Sequence, residues 1–240
     1  MDIHNPKTWH GFREFLKEYL IIVAGVLTAL AGEQAVEAFH WMHQAEAGEA
    51  ELRIAFLREV NNAALRGAQD ACVTQRLVAL SSVLRQATET GRLPPIAAVG
   101  HPSFTPWTVG AWEVLVADQT VSHLPRQKAI AYTTIVQTSA YLSALSDREE
   151  DLWTVLDSMV GAGRRLSDVE AQQLRTTLVM AAGSSVHMTK TSARLRDAVK
   201  ATGLLPASEF PAAVRRATDG RSTLDICRPI TVPPPGDRPT

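Results

Sequence analysis

The sequence has few cysteines, few aromatic residues and no excess of charge of either sign. Its 240 residues include two cysteines, 6% aromatic residues and a formal net charge of -1. This balance argues against the basic surface of a nucleic-acid-binding domain, and Arg164-Arg165 and Arg215-Arg216 are only isolated basic pairs. Hydrophobic residues make up 45% of the chain, which is ordinary for a folded domain with its own core. We therefore expect no nucleic acid among its partners.

Charge is also absent locally, because no charged residue occurs from Tyr19 to Gly32. With its flanks this run is long enough to cross a lipid bilayer as one helix, predicted over residues 19–36. Aromatic residues lie on both sides of it, as in the interfacial belts of spanning helices. A cleaved secretory signal ending near Ala29-Leu30-Ala31 and a buried helix of a soluble protein remain alternatives. The residues that define the predicted span are Tyr19, Leu20, Ile21, Ile22, Val23, Gly25, Leu27 and Leu30.

The basic residues nearest the span indicate its orientation. Lys7, Arg13 and Lys17 precede it, whereas the first lysine or arginine after it is Arg53. Because basic residues are retained on the cytoplasmic side, residues 1–18 are predicted to be cytoplasmic and residues 37–231 to be exported. In a bacterium with an outer membrane this places the anchor in the inner membrane and the bulk of the chain in the periplasm. Residues 232–240 are proline-rich and are predicted to be disordered.

Apolar residues after the span recur at the spacing of amphipathic helices. They predict a long helix that breaks near Asn61-Asn62 or Gly67 and ends at Gly91, followed by a proline-rich loop to Ser103. The next helices are predicted to start at Thr105-Pro106, at Pro125, at the capping box Ser167-Asp168-Val169-Glu170 and at Pro206. Breaks are expected at Gly161-Ala162-Gly163, at Gly203 and near Thr218. The sequence therefore predicts an all-α fold, in which the transmembrane helix continues into a bundle-like domain of four or five main helices.

Two stretches carry a resemblance to a known family. The run from Phe15 to Leu30, followed by Glu33-Gln34, resembles the N-terminal signature of an uncharacterised family of proteobacterial single-span inner-membrane proteins. Trp112-Glu113-Val114-Leu115, with Leu124-Pro125 and Tyr132, is similar to a tryptophan-bearing helical hairpin of that group. The resemblance implies an exported helical domain on one membrane helix, and it brings no catalytic residues with it.

Patterns for catalysis or metal binding are weak. Glu37 and His40 have the Glu-x-x-His spacing of di-iron bundles, but the second such motif is missing. His40 and His43 lie three residues apart and could hold a metal with Glu37 or Glu33. Ser184, Ser185 and His187 offer hydroxyls and an imidazole without an assignable acid partner or a glycine-framed nucleophile. We therefore predict no enzyme activity and assign no catalytic, cofactor-binding or metal-binding residue.

Tryptophan and cysteine give the remaining candidates. Trp107, Trp112 and Trp153 have the spacing of buried helix faces, and Trp107 or Trp112 would be a candidate partner contact if its indole were exposed. Cys72 and Cys227 both fall on the side predicted to be exported, where an oxidising compartment allows a disulfide. The alternative is a buried Cys72 and a free Cys227 thiol. We favour the disulfide because the apolar residues around Cys227 would otherwise have little to hold them to the bundle.

Three classes of function remain open. The favoured one is a membrane-anchored interaction or scaffold module of the cell envelope, with the lipid bilayer and a protein as partners. The alternative is a periplasmic ligand-sensing bundle that acts through a partner, and the third is an enzyme with an unrecognised site. An apolar cavity with convergent polar groups would favour the ligand sensor. Gly25 with Ala29, and Thr28 with Gly32, place small residues four apart, which allows close helix approach in a homodimer.

Overall fold

The chain folds almost entirely into α-helices in a computed structural model, which describes residues 11–230. Helices α1 to α5 are followed by short 3-10 turns at Arg221–Thr223 and Asp225–Cys227, and a further turn at Thr120–His123 lies between α2 and α3. Two-residue strands β1 (Arg92–Leu93) and β2 (Arg164–Arg165) pair antiparallel. The all-α prediction is therefore confirmed. The helices are α1 (Phe12–Thr90), α2 (Gly110–Ala117), α3 (Arg126–Asp157), α4 (Asp168–Thr202) and α5 (Glu209–Asp219).

The chain divides between Ala47 and Gly48 into two units. In the first unit, the described residues form the N-terminal part of α1, and nearly all their side chains are exposed. This part has an 18-residue stretch of mean hydropathy 1.7, none of it buried, and is long and apolar enough to cross a membrane. The large exposed side chains are those expected in the span, among them Leu20, Ile21, Ile22, Leu27 and Leu30. A signal sequence would share this length and composition.

Helix α1 continues without interruption to Thr90, so the predicted break near Asn61-Asn62 or Gly67 is wrong. Asn61 Nδ2 donates to the Leu57 carbonyl oxygen at 2.9 Å, and Asn62 Nδ2 donates to the Pro106 carbonyl oxygen at 3.0 Å. Both amides therefore have partners that leave the helix backbone intact. The predicted end is confirmed, because Gly91 follows α1 with a positive φ of 68° that suits glycine.

Helices α3 and α4 begin and end close to their predicted positions. Pro125 precedes α3, and the Gly161-Ala162-Gly163 segment separates it from α4. The Ser167 hydroxyl accepts a hydrogen bond from the Glu170 amide at 3.2 Å, as the capping box predicts. The Glu170 carboxylate does not return to Ser167, because it pairs with the Arg164 guanidinium. Gly203, with φ 68°, ends α4.

The second unit has an unusual connection between its first two long helices. Helix α3 runs in the same direction as α1, since Glu49 contacts Tyr132, Glu59 contacts Ser139 and Arg66 contacts Glu149. The chain must therefore travel back along α1 before α3 can start. Residues 94–109 make this return without helical structure, and we call them the return segment.

The return segment explains why the predicted helix start at Thr105-Pro106 is wrong. Helix α2 begins only at Gly110, and Thr105 and Pro106 belong to the return segment. The backbone there is bound by α1 side chains: Gln69 Oε1 accepts from the Ser103 amide at 2.9 Å, and Asn62 donates to the Pro106 carbonyl oxygen. These bonds replace those that a helix would supply to its own backbone.

The best-defined part of the core lies where α1, α3 and α4 meet the start of the return segment. Trp153 and Leu156 at the end of α3, Met159 just after it, and Ile96 are fully buried there. The isolated bridge between Ile96 and Gly161 ties the return segment to the α3–α4 connection. Helix α5 packs on α1 elsewhere, where Arg216 Nη2 donates to Asn61 Oδ1 at 2.7 Å.

Candidate interaction surface

Buried polar side chains recur along α1 within the second unit. Glu59, Arg66, Gln69 and Arg76 are all buried, at spacings of seven and three residues that place them on one side of the helix. Each binds a neighbouring segment: Glu59 and Gln69 bind the return segment, Arg66 binds α3 and α4, and Arg76 binds the C-terminal turns. These contacts explain the burial, because each side chain fixes a neighbouring segment of the fold against α1.

Glu59 is the acidic member of this row. Its carboxylate accepts from the Ser139 hydroxyl at 2.8 Å and from the Thr108 amide at 3.3 Å. Arg58 holds the same piece of chain by donating to the Thr108 carbonyl oxygen. Burial raises the pKa of Glu59 to about 6, although these hydrogen bonds and the Arg58 charge oppose the rise.

Arg66 makes a buried fork with Glu149. The two Arg66 Nη atoms donate to the two carboxylate oxygens at 2.9 and 2.8 Å, and Nη2 also donates to Ser185 Oγ at 2.9 Å. Burial raises the pKa of Glu149, and the Arg66 charge opposes this rise.

Ser185, a candidate nucleophile by sequence, accepts the hydrogen bond from Arg66, and His187 is exposed to solvent. Within residues 11–230, no hydrogen bond joins Ser184 or Ser185 to His187, so these residues do not form a catalytic pair.

The candidate metal ligands Glu33, Glu37, His40 and His43 all lie on the N-terminal part of α1. Within residues 11–230, no group of three or more His, Cys, Asp or Glu side chains is placed to hold a metal ion. His43 instead lies 3.7 Å from the carboxylate of Glu46, and both side chains are exposed. We assign no metal to this stretch.

The tryptophans proposed as partner contacts are buried. Trp107 lies in the return segment, Trp112 lies on α2, and neither indole is open to a partner. Trp112 packs edge-on against the Tyr132 ring at a centroid distance of 6.5 Å. The partner-contact prediction required an exposed indole, so we replace it with a role in packing α2 and the return segment onto the bundle.

Cys72 and Cys227 are joined by a disulfide bond in the structure, with sulfur atoms 2.06 Å apart. The bond links α1 to the last 3-10 turn. The expectation that this turn has little else to hold it is wrong, because Ile226 is buried in the core. Arg76 also donates to the carbonyl oxygens of Ile226 and Arg228. The C-terminal turn is therefore fixed by a covalent bond, an apolar anchor and a guanidinium clamp.

The described chain has a recess between α1 and α4, which we call the α1–α4 groove. It encloses about 800 Å³ and extends along α1 from Asp70 to Glu89, a length of about 29 Å at the helical rise. Buried side chains of Leu77, Leu84 and Leu178 form its floor. The groove is open to solvent along one side, so it is a furrow on the surface and not an enclosed cavity.

The walls of the α1–α4 groove are apolar and exposed. Val78 on α1 is 61% exposed, and Val179 and Val186 on α4 are 70% and 50% exposed. Ala182, between the two valines on α4, is exposed as well. Leu174, Leu178, Ala181 and Leu195 fill the buried side, which leaves the valines as a second apolar stripe. The signal in the sequence was that α4 carries more apolar residues than one buried face can take.

Charged residues at the groove are balanced in sign. Asp70 and Glu89 are acidic, and Arg85 and Arg175 are basic. Asp70 Oδ1 accepts from Thr189 Oγ1 at 2.8 Å, and Arg175 donates to Gln172 at 3.0 Å.

Comparison with known protein families, curated proteins and solved structures finds no match to this chain. The resemblance to a proteobacterial family stays a prediction, and the argument for function depends on the geometry of this groove.

Proposed function

We propose that this chain is a membrane-anchored interaction module of the cell envelope, with the α1–α4 groove as its docking surface for a protein. The anchor is the apolar N-terminal part of α1 in the bacterial inner membrane. The short N-terminus faces the cytoplasm, and the rest of the chain lies in the periplasm. The distribution of Lys7, Arg13, Lys17 and Arg53 supports this orientation.

The docking proposal rests on the exposed valines of the groove. Val78 on α1 and Val179 and Val186 on α4 lie beside a leucine floor and are exposed to solvent. A contiguous apolar patch of this kind, rimmed by charge, is typical of a protein interaction site. Grooves between two helices commonly receive the apolar face of a third helix.

A periplasmic ligand sensor is the second candidate, and the volume of the groove favours it. About 800 Å³ falls within the range of small-molecule sites, and hydroxyl groups of Ser81 and Ser82 line the recess. Such sites bury most of their ligand, however, whereas this groove is a long furrow open along one side. Its shape suits an elongated partner better than a small molecule.

Two matched valine substitutions test the docking proposal on the full chain in membranes. Val179→Glu places a charge inside the groove, and Val169→Glu places the same charge on α4 outside it, at a side chain that is 80% exposed. After chemical crosslinking, the wild-type chain and Val169→Glu should migrate in the same higher-mass protein assembly. Val179→Glu should lose that assembly while remaining in the membrane fraction. An assembly that survives both substitutions would contradict docking at the groove.

A further inference from the structure

We infer that the disulfide between Cys72 and Cys227 is a site of thiol–disulfide exchange with a dithiol. The incoming thiolate attacks Cys227, and Cys72 leaves as a thiolate that Arg221 stabilises. This activity goes beyond the proposed docking function and does not depend on it, because neither cysteine lines the α1–α4 groove. The reaction partner is defined by its chemistry, as a molecule that carries two neighbouring thiols.

The two cysteines differ in their exposure to solvent. Cys72 on α1 is 4% exposed and belongs to the buried core, whereas Cys227 on the last 3-10 turn is only partly buried. A thiolate in solution can therefore reach the bond from the Cys227 side. Access of this kind decides which sulfur of a disulfide is attacked and which one leaves.

A guanidinium lies next to the sulfur that leaves. Arg221, in the 3-10 turn after α5, donates from Nε to Cys72 Sγ at 3.2 Å. A positively charged donor at this position stabilises a thiolate more than a disulfide sulfur, because the thiolate carries a full negative charge. A stabilised thiolate is also a better leaving group, so Arg221 favours opening of the bond.

The other charged groups of the C-terminal turn already have partners. Arg76, one turn after Cys72 on α1, donates to backbone carbonyl oxygens of this turn. Asp225 is its acidic residue, and the Arg228 guanidinium lies 3.3 Å from the Asp225 carboxylate. Asp225 therefore has a counter-charge of its own, which leaves the charge of Arg221 to act on the sulfur of Cys72.

The C-terminal turn should stay in place after the bond opens. Ile226 is 2% exposed and packs in the core, and Arg76 binds the backbone of the same turn. These contacts do not involve the sulfur atoms. Cys72 and Cys227 therefore remain neighbours when they are reduced, and the bond can form again by the reverse reaction.

The exchange conserves electrons over two steps. In the first, one thiolate of the partner bonds to Cys227 Sγ, the bond between the two cysteines breaks, and its electron pair goes to Cys72 Sγ. In the second, the other thiolate of the partner attacks the partner sulfur of the mixed disulfide, and Cys227 leaves as a thiolate. The partner is oxidised to a disulfide, the protein gains two electrons, and the two protons lost by the partner can protonate the cysteines.

Glutathione, used as a monothiol, reports which sulfur is attacked. The full chain is purified in detergent with its disulfide intact and is treated with glutathione without denaturant. Free thiols are capped with N-ethylmaleimide at early times. Peptide mass spectrometry should find glutathione on Cys227 and N-ethylmaleimide on Cys72. Glutathione on Cys72, or a bond that opens only in denaturant, would overturn the inference.

Substitution of Arg221 tests its effect on the leaving group. Arg221→Gln removes the guanidinium beside Cys72 and should slow reduction of the native chain by dithiothreitol about fivefold. Arg221→Lys keeps the positive charge and should retain most of the wild-type rate. Arg215→Gln removes the same charge from an exposed position on α5 and should leave the rate unchanged. Equal rates in Arg221→Gln and Arg215→Gln would contradict the role of Arg221.

A second measurement separates stabilisation of the thiolate from loosening of the turn. In the Cys227→Ser background, the ultraviolet absorbance of the Cys72 thiolate is followed as the pH is raised. The thiolate should form at a lower pH when Arg221 is present than in Arg221→Gln, and Arg215→Gln should leave the titration unchanged. Identical titrations with and without Arg221 would overturn the inference. Circular dichroism checks that each variant keeps its helix content.

Discussion

Arg66 on α1 and Glu149 on α3 form a buried two-bonded ion pair across 83 residues of sequence, with donor–acceptor distances of 2.9 and 2.8 Å. The same guanidinium donates to Ser185 on α4, so one side chain joins all three long helices of the second unit. Both charged side chains are almost fully buried. Each charge is therefore tolerable only in the presence of the other.

Removing one member of this pair should destabilise the fold strongly. Arg66→Ala leaves the Glu149 carboxylate buried without its counter-charge and should lower the free energy of unfolding by about 3–5 kcal/mol. Replacing both residues, as Arg66→Met with Glu149→Leu, removes both buried charges and should recover most of the loss. Urea unfolding of the full chain in detergent, followed by tryptophan fluorescence, compares the wild-type chain with these two variants. A double variant as unstable as Arg66→Ala would show that the pair itself supplies the stability.

Stability should depend on the ionisation of Glu59. Its pKa in the folded chain is about 6, above the ordinary value of 4.5, because burial disfavours the charged carboxylate. Folding is therefore favoured when Glu59 is protonated, and this contribution is complete below about pH 4.5 and lost as the pH rises through 6. A shift of about 1.5 pKa units corresponds to about 2 kcal/mol.

Comparison with Glu59→Gln isolates this contribution. The amide keeps the size and polarity of the carboxylate but does not titrate in this range. From pH 4.5 to pH 7.5, the wild-type chain should lose about 2 kcal/mol relative to the variant. The difference between the two unfolding free energies is the quantity to plot, since titration of other groups cancels in it. A difference that stays flat across this pH range would mean that Glu59 is not perturbed in the folded chain.

The disulfide between Cys72 and Cys227 should stabilise the fold without being the sole attachment of the C-terminal turn. The bond closes a separation of 155 residues, for which the chain-entropy model gives about 5 kcal/mol. Because Ile226 and Arg76 also hold the turn, Cys72→Ala with Cys227→Ala should melt at a lower temperature but keep its helix content. Thiol counting under denaturing conditions, and melting with and without reductant, test this. Two free thiols in the freshly purified oxidised protein would rule the bond out.

The orientation of the chain in the membrane should be set by the basic residues before the apolar run. A reporter active only in the cytoplasm should work when it is fused before Met1 and fail when it is fused after Thr240. The reason is that Lys7, Arg13 and Lys17 hold the N-terminus inside. The N-terminus of the mature protein should be intact. A chain that starts near Gly32 would identify a cleaved signal instead.

Features set by local chemistry could be predicted from the sequence. Pro125 before α3, the Ser167 cap of α4 and the left-handed Gly203 at its end are each determined by a few neighbouring residues. The Thr105-Pro106 helix start had an equally clear local signal but did not form. There, Asn62 of α1, 44 residues away, binds the Pro106 carbonyl oxygen of a non-helical segment, and tertiary contacts override the local preference.

The candidate groove was hidden from sequence analysis for a related reason. Val179 and Val186 have the hydrophobicity and spacing of core residues, and only the packing of α4 shows that its buried side is already filled by Leu174 and Leu178. The disulfide was predictable because two cysteines allow one pairing. The row of buried polar residues on α1 was not predictable, since its partners lie in chain segments far away in sequence.

A photo-crosslinking amino acid at position 179 in intact cells tests the central claim most directly. Val179 lies in the α1–α4 groove, and position 169 on the same helix lies outside it and serves as the control. Our account predicts a covalent adduct between position 179 and another protein chain, at a yield well above that from position 169. Equal yields at the two positions, or an adduct at position 179 with lipid or solvent alone, would contradict a protein-docking groove.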